Sequence, residues 1–172
     1  MMGRALLIVG ALATLGLAAT GVLGYLVPWP PAAEAGGAVS DEMSTHILIG
    51  LGTCLLLLFS HCWILIYLLG TGRAVRQAVR ERGLETALAG RTRRSRMAFY
   101  VLVVLAMGLS LAVFIVGASL TTGSVPGWVH GVLFYAALAV QLPTLAIERR
   151  VLDANEGLMA EVDRQLEALP AA

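Results

Sequence analysis

Three histidines, His46, His61 and His130, are the residues of this chain with the clearest capacity for chemistry, and each lies in or at the edge of an apolar run. An imidazole can ligate a transition metal, exchange a proton near neutral pH, or stay neutral in a hydrogen bond. An ionisable group inside hydrocarbon is costly and faces a bundle interior, which makes it a candidate functional site. His46 and His61 are fifteen residues apart in "HILIGLGTCLLLLFSH". On a helix that is about 22 Å of rise and about 60° of rotation, so both rings share one broad face with Gly50, Thr53 and Ser60. Met43 lies three residues before His46, with Asp41 and Glu42 just ahead of it. Copper accepts imidazole with thioether, and carboxylates suit harder ions, so His46, His130, Met43 and Glu42 form a candidate set for a bare metal. The plain alternative is a neutral His61 bonded to Ser60 or a backbone carbonyl, with His46 and His130 reaching water at an interface.

The elements that must position these rings are set by hydropathy. The chain has 172 residues, 58% of them hydrophobic and 13% charged, about half the charge of soluble domains. The apolar residues come in blocks of about 20, the length a helix needs to cross a hydrocarbon core of about 30 Å. Four such blocks span about 5–27, 46–69, 97–120 and 128–147. In lipid every backbone amide must bond internally, so these blocks are helices. The predicted fold is an all-α, antiparallel four-helix transmembrane bundle, residues 1–150. A short amphipathic tail, residues 151–172, has Leu152, Met159, Val162, Leu166 and Leu169 in a heptad-like stripe. The first block also resembles a signal peptide with a cleavage site at Ala33-Glu34-Ala35, but about 23 apolar residues exceed a signal core of about 7–15, so a retained helix is expected. Pro28 and Pro143 are expected to interrupt the first and fourth helices late.

Charge sets the expected orientation. All twelve basic residues are Arg, consistent with a GC-rich genome, and eight of them (Arg73, Arg76, Arg80, Arg82, Arg91, Arg93, Arg94, Arg96) fall between the second and third spans. Nucleic-acid binding is the costlier reading of this cluster; arginine-rich short loops lie in the cytoplasm. The expectation is a bacterial inner-membrane protein, N-in and C-in. "GRAVRQAVRERG" reads as a basic amphipathic helix along anionic headgroups, stopped by Gly83. Trp29 and Trp128 mark the outer ends. Alternation then makes the second and fourth spans parallel, with His46 and His130 both at the outer level and His61 about two-thirds of the way down.

The fifteen-residue histidine spacing with intervening small residues resembles the haem-carrying helices of membrane b-type cytochromes. The resemblance covers about 25 residues and implies a haem b held between His46 and His130. The cytochrome pattern has a second histidine on the facing helix, whereas here Leu145 stands fifteen residues after His130. An inner site would therefore need His61 with Met107, a thioether at a similar depth on the third span.

What is missing narrows the field. The chain lacks lysine and has no phosphate-binding loop, nucleophile elbow, H-E-x-x-H or C-x-x-C motif, so the only expected catalysis is electron transfer. A proton pathway lacks an acid inside the other spans, where the polar residues are neutral ones such as Thr14, Ser110 and Gln141. Cys54 and Cys62 are expected to be buried, inert thiols. Gly10, Gly16, Gly21 and Gly24 on the first span, and Gly108 and Gly117 on the third, suggest close helix packing. Three functions follow: a b-type haem electron-transfer protein or redox-complex subunit with quinone as a membrane partner; a non-catalytic scaffold whose glycine faces and tail dock other subunits; and a copper-type metal-binding protein.

Overall fold

A computed structural model describes residues 2–27, 40–94 and 96–169, and Trp29 and the Ala33-Glu34-Ala35 site lie outside them. The chain is all-α. Its helices are α1 (Met2–Leu26), α2 (Asp41–Arg82), α3 (Thr86–Arg94), α4 (Met97–Leu120) and α5 (Gly127–Glu167). Four of them, all but α3, are long and apolar enough to cross a membrane. Their outer surfaces are apolar, with Leu12, Leu15, Leu55, Phe59, Val101 and Val104 all well exposed. The polar residues of the spans, Thr14, Thr53, Ser60, His61, Ser110, Gln141 and Thr144, are buried. A surface that greasy around a polar interior is suited to lipid, where the hydrogen-bonding groups must be satisfied inside.

α2 begins at Ser40, whose hydroxyl accepts from the Met43 amide at 3.2 Å, and Asp41 and Glu42 complement the positive end of the helix dipole. It stops at Gly83, which takes a left-handed φ of 67° open to glycine without strain. The stop is as expected; the start of the basic segment is not. Residues 70–82 form no separate helix along a headgroup layer but continue α2 without a break. No proline intervenes, and the Thr71 hydroxyl bonds back to the Tyr67 carbonyl at 3.0 Å.

α5 is likewise one helix through Pro143 and past residue 150, so the expected interruption at Pro143 does not occur. Proline removes one amide donor, and spans tolerate this where neighbouring groups re-satisfy the backbone. The Thr144 hydroxyl bonds the Val140 carbonyl at 2.7 Å beside it.

Side-chain contacts fix the order of the bundle. α1 lies antiparallel to α2, with Gly24 beside His46 and Gly16 beside Thr53. It is also antiparallel to α5, with Gly21 beside Phe134 and Gly10 beside Glu148. α4 pairs antiparallel with α5 through Gly117 and His130, and with α2 through Cys54 and the Ser110 carbonyl at 3.8 Å. α2 and α5 are therefore parallel and diagonal, and they meet in the middle through His61 and Gln141.

One core cluster joins Leu6, Ile64, Leu68, Phe99, Val103, Val151 and Leu152. At the arginine-rich end the extensions of α2 and α5 enclose α3 in a second cluster of Val75, Leu84, Leu88, Leu158 and Val162, flanked by Met159 and Leu166. Met159, Val162 and Leu166 of the tail's stripe thus pack on this chain's own α2 and α3, while Leu152 joins the first cluster and Leu169 is exposed. Gly108 does not mediate close packing, since a Cβ there would meet nothing within 4 Å. Cys54 is buried as expected, but Cys62 is exposed, because one residue beyond buried His61 the helix has turned about 100° outward.

Leu158 is 4% exposed in the second cluster. Leu158→Ala should lower stability by about 2–5 kcal/mol, read as a lower thermal midpoint of detergent-solubilised protein. An unchanged midpoint would show that the α5 extension does not pack there.

Candidate functional site

At the end of the bundle opposite the arginines, α1, α2, α4 and α5 part to form a cavity of about 420 Å³, within the size range of small-molecule and cofactor sites. Its wall is mostly apolar and includes Leu17, Ile47, Leu57, Val113, Phe114 and Phe134. His46 enters from α2 and His130 from α5. Each ring lies on a glycine of the adjacent helix. A Cβ on Gly24 of α1 would come within 2.9 Å of His46 Cε1, and one on Gly117 of α4 within 2.8 Å of His130 Cε1. These two glycines make room for imidazole against backbone.

Backbone of the adjacent helices lies beside the rings, Thr20 of α1 next to His46 and Val113 of α4 next to His130. His130 Nδ1 is buried with no hydrogen-bond partner among the described residues.

The remaining predicted residues fall elsewhere. Met43 is buried and three residues from His46, so it shares the inward face of α2, whereas Glu42 is exposed. Among the described residues no three His, Cys, Asp or Glu side chains gather around one point. His61 is fully buried, but both its nitrogens point to α5: Nε2 lies 3.0 Å from Gln141 Oε1 and Nδ1 3.9 Å from Glu148 Oε2. Its hydrogen-bond partner is therefore neither Ser60, whose hydroxyl bonds the Leu57 carbonyl, nor a backbone carbonyl. Met107 packs against the apolar core cluster on α4.

Glu148 corrects the expectation that no acid lies inside. It is fully buried, and its carboxyl lies against Gly10 of α1, where a Cβ would be 3.1 Å from Oε1. Arg149 and Arg150 beside it are exposed. The missed signal was periodicity. Gln141, Thr144, Glu148 and Asn155 recur at spacings of three, four and seven on the stripe that also buries Leu152 and Val162.

Toward the arginine-rich end, Arg96 is 4% exposed and donates to the Leu68 carbonyl and Asn155 Oδ1. Burial pulls its pKa below the ordinary arginine value, opposed by Tyr100 and Tyr67 alongside. One of the eight arginines is thus an internal strut tying α4 to α2 and α5. No family model, curated protein or solved structure matches the chain.

Gln141 holds two partners, accepting from His61 and donating to Thr14 Oγ1 at 3.1 Å. Gln141→Leu leaves His61 Nε2 without a partner and Thr14 Oγ1 with only its bond to the Gly10 carbonyl, so it should destabilise the protein by about 1–3 kcal/mol. Unfolding in mixed detergent micelles measures this. Wild-type stability in the variant would mean the network carries no load.

Proposed function

We propose that the cavity would hold a haem b through His46 and His130, in a bilayer-embedded electron-transfer protein. The observation that carries this reading is the convergence of two imidazoles, from diagonal parallel helices, on one apolar cavity, each seated on a glycine. Two protein donors are too few to enclose a bare metal ion. They suffice where a macrocycle supplies the equatorial nitrogens, which favours haem over a copper-type centre.

The bound group would supply one-electron exchange; the protein's part is to bind, orient and insulate it. Gly24 and Gly117 let the two rings lie back against α1 and α4, and a mostly apolar wall surrounds the space they line. Met107 and His61 are left out of this ligand set, because both His61 nitrogens are turned to α5.

The arginine-rich end belongs on the cytoplasmic side by the charge rule, giving N-in and C-in in a bacterial inner membrane and placing the cavity at the outer face. Trp128 is exposed at the cavity rim, where an indole suits the membrane interface. A membrane quinone on one side and a redox protein on the other are the partners this placement suits.

Protein expressed with ample haem and purified in detergent should show a Soret band. Loss of an outer-shell partner alone costs a metal site roughly 10–100-fold in affinity, so His46→Ala and His130→Ala should each cost more. Gly117→Leu, which drives a side chain into the His130 ring, should also strip the band while sparing the helical content. Colourless wild-type protein, or variants that keep the full spectrum, would refute the assignment.

A further inference from the structure

We propose that His61 and Glu148 form a proton-holding site at the centre of the bundle, where a neutral Glu148 carboxyl donates its hydrogen to His61 Nδ1. The inference is independent of haem. It follows from the hydrogen-bond directions around the pair.

The Thr14 hydroxyl lies 2.8 Å from the Gly10 carbonyl, which can only accept, so its hydrogen is committed there. Towards Gln141, 3.1 Å away, Thr14 Oγ1 must then act as acceptor, which assigns the Gln141 amide nitrogen to Thr14 and its carbonyl oxygen to His61. That oxygen accepts, so His61 Nε2 carries the hydrogen. In a neutral imidazole Nδ1 is then a bare lone pair, and it faces Glu148 Oε2 at 3.9 Å.

An ionised Glu148 would set a second acceptor against the first. Neither Glu148 oxygen, nor His61 Nδ1, has a hydrogen-bond partner among the described residues. Both side chains are fully buried, so the mismatch falls in the medium least able to tolerate an unpaired charge. One proton removes it. Added to the carboxylate from water, it yields a neutral acid and a matched O–H donor to Nδ1, with no net charge left on the pair. The hydrogen bond requires the 3.9 Å separation to shorten to about 2.7–3.2 Å.

The other elements around the pair bring no charge that would compensate an anion. α1 presents Gly10 and Thr14, and α4 contributes Phe99, Val103 and Met107 to the adjoining core. On α5 the neighbours are Gln141 and Thr144, and Arg149 and Arg150 point outward. The buried cation, Arg96, is engaged by the Leu68 carbonyl and Asn155, with Tyr67 and Tyr100 beside it.

Infrared difference spectroscopy of the full chain in lipid vesicles tests this. Glu148 is the one buried carboxyl among the described residues, so a protonated-carboxyl C=O band at neutral pH is assignable to it. The expected result is one such band, lost completely in Glu148→Gln and shifted in frequency in His61→Gln, whether or not the preparation contains haem. Should Glu148→Gln fail to fold, the wild-type spectrum still decides: the band at neutral pH should vanish on raising the pH. A spectrum with only carboxylate bands at neutral pH, or a protonated-carboxyl band that survives in folded Glu148→Gln, overturns the proposal.

Discussion

The structure depends on a solvent constraint: in hydrocarbon, a polar side chain must find its partner within the bundle. The hydroxyls of Thr14, Ser60 and Thr144 bond back to carbonyls of their own helices. His61, Gln141 and Thr14 tie three helices together in one chain of bonds. Lower down, Arg96, Asn155 and Thr71 do the same for α2, α4 and α5. Apolar packing alone discriminates poorly between helix registers in lipid, because lipid tails are as apolar as leucine. Directional polar contacts and glycine seats restore that discrimination.

From that constraint follows the geometry of both candidate sites. Antiparallel neighbours make α2 and α5 parallel, and the diagonal arrangement lets them meet across the core. His46 and His130 then share one end, while His61 meets Gln141 and Glu148 further along. The two sites differ in kind. The upper one is roomy, apolar and floored by glycine, which suits a flat ligand. The central one has no such room and is rich in mismatched acceptors, which suits a proton.

Much of this was legible in the sequence. The spans were readable because apolar blocks of membrane length leave the backbone no economical alternative to helix, and α4 matches its predicted bounds residue for residue. The common end of His46 and His130 followed from alternation alone. The long extensions of α2 and α5 were not read, because composition changes sharply at Gly70 and Glu148 while the helix does not. Glu148 was not read as an interior acid, because Arg149 and Arg150 follow it directly while its place on the buried stripe shows only in the helical periodicity. Gly108 and Gly117 are nine residues apart, half a turn out of phase on a helix, so only one of them can face His130. The partner of His61 needed three-dimensional information, since Gln141 lies eighty positions away.

The central claim is that imidazoles from two diagonal helices serve one bound group, and electron paramagnetic resonance of the oxidised, haem-loaded protein tests it most directly. Two axial imidazoles give a six-coordinate, low-spin ferric signal, and removal of either His46 or His130 should convert it to a five-coordinate, high-spin one. A high-spin signal in the wild type, or a low-spin signal that survives in both single variants, would contradict the account.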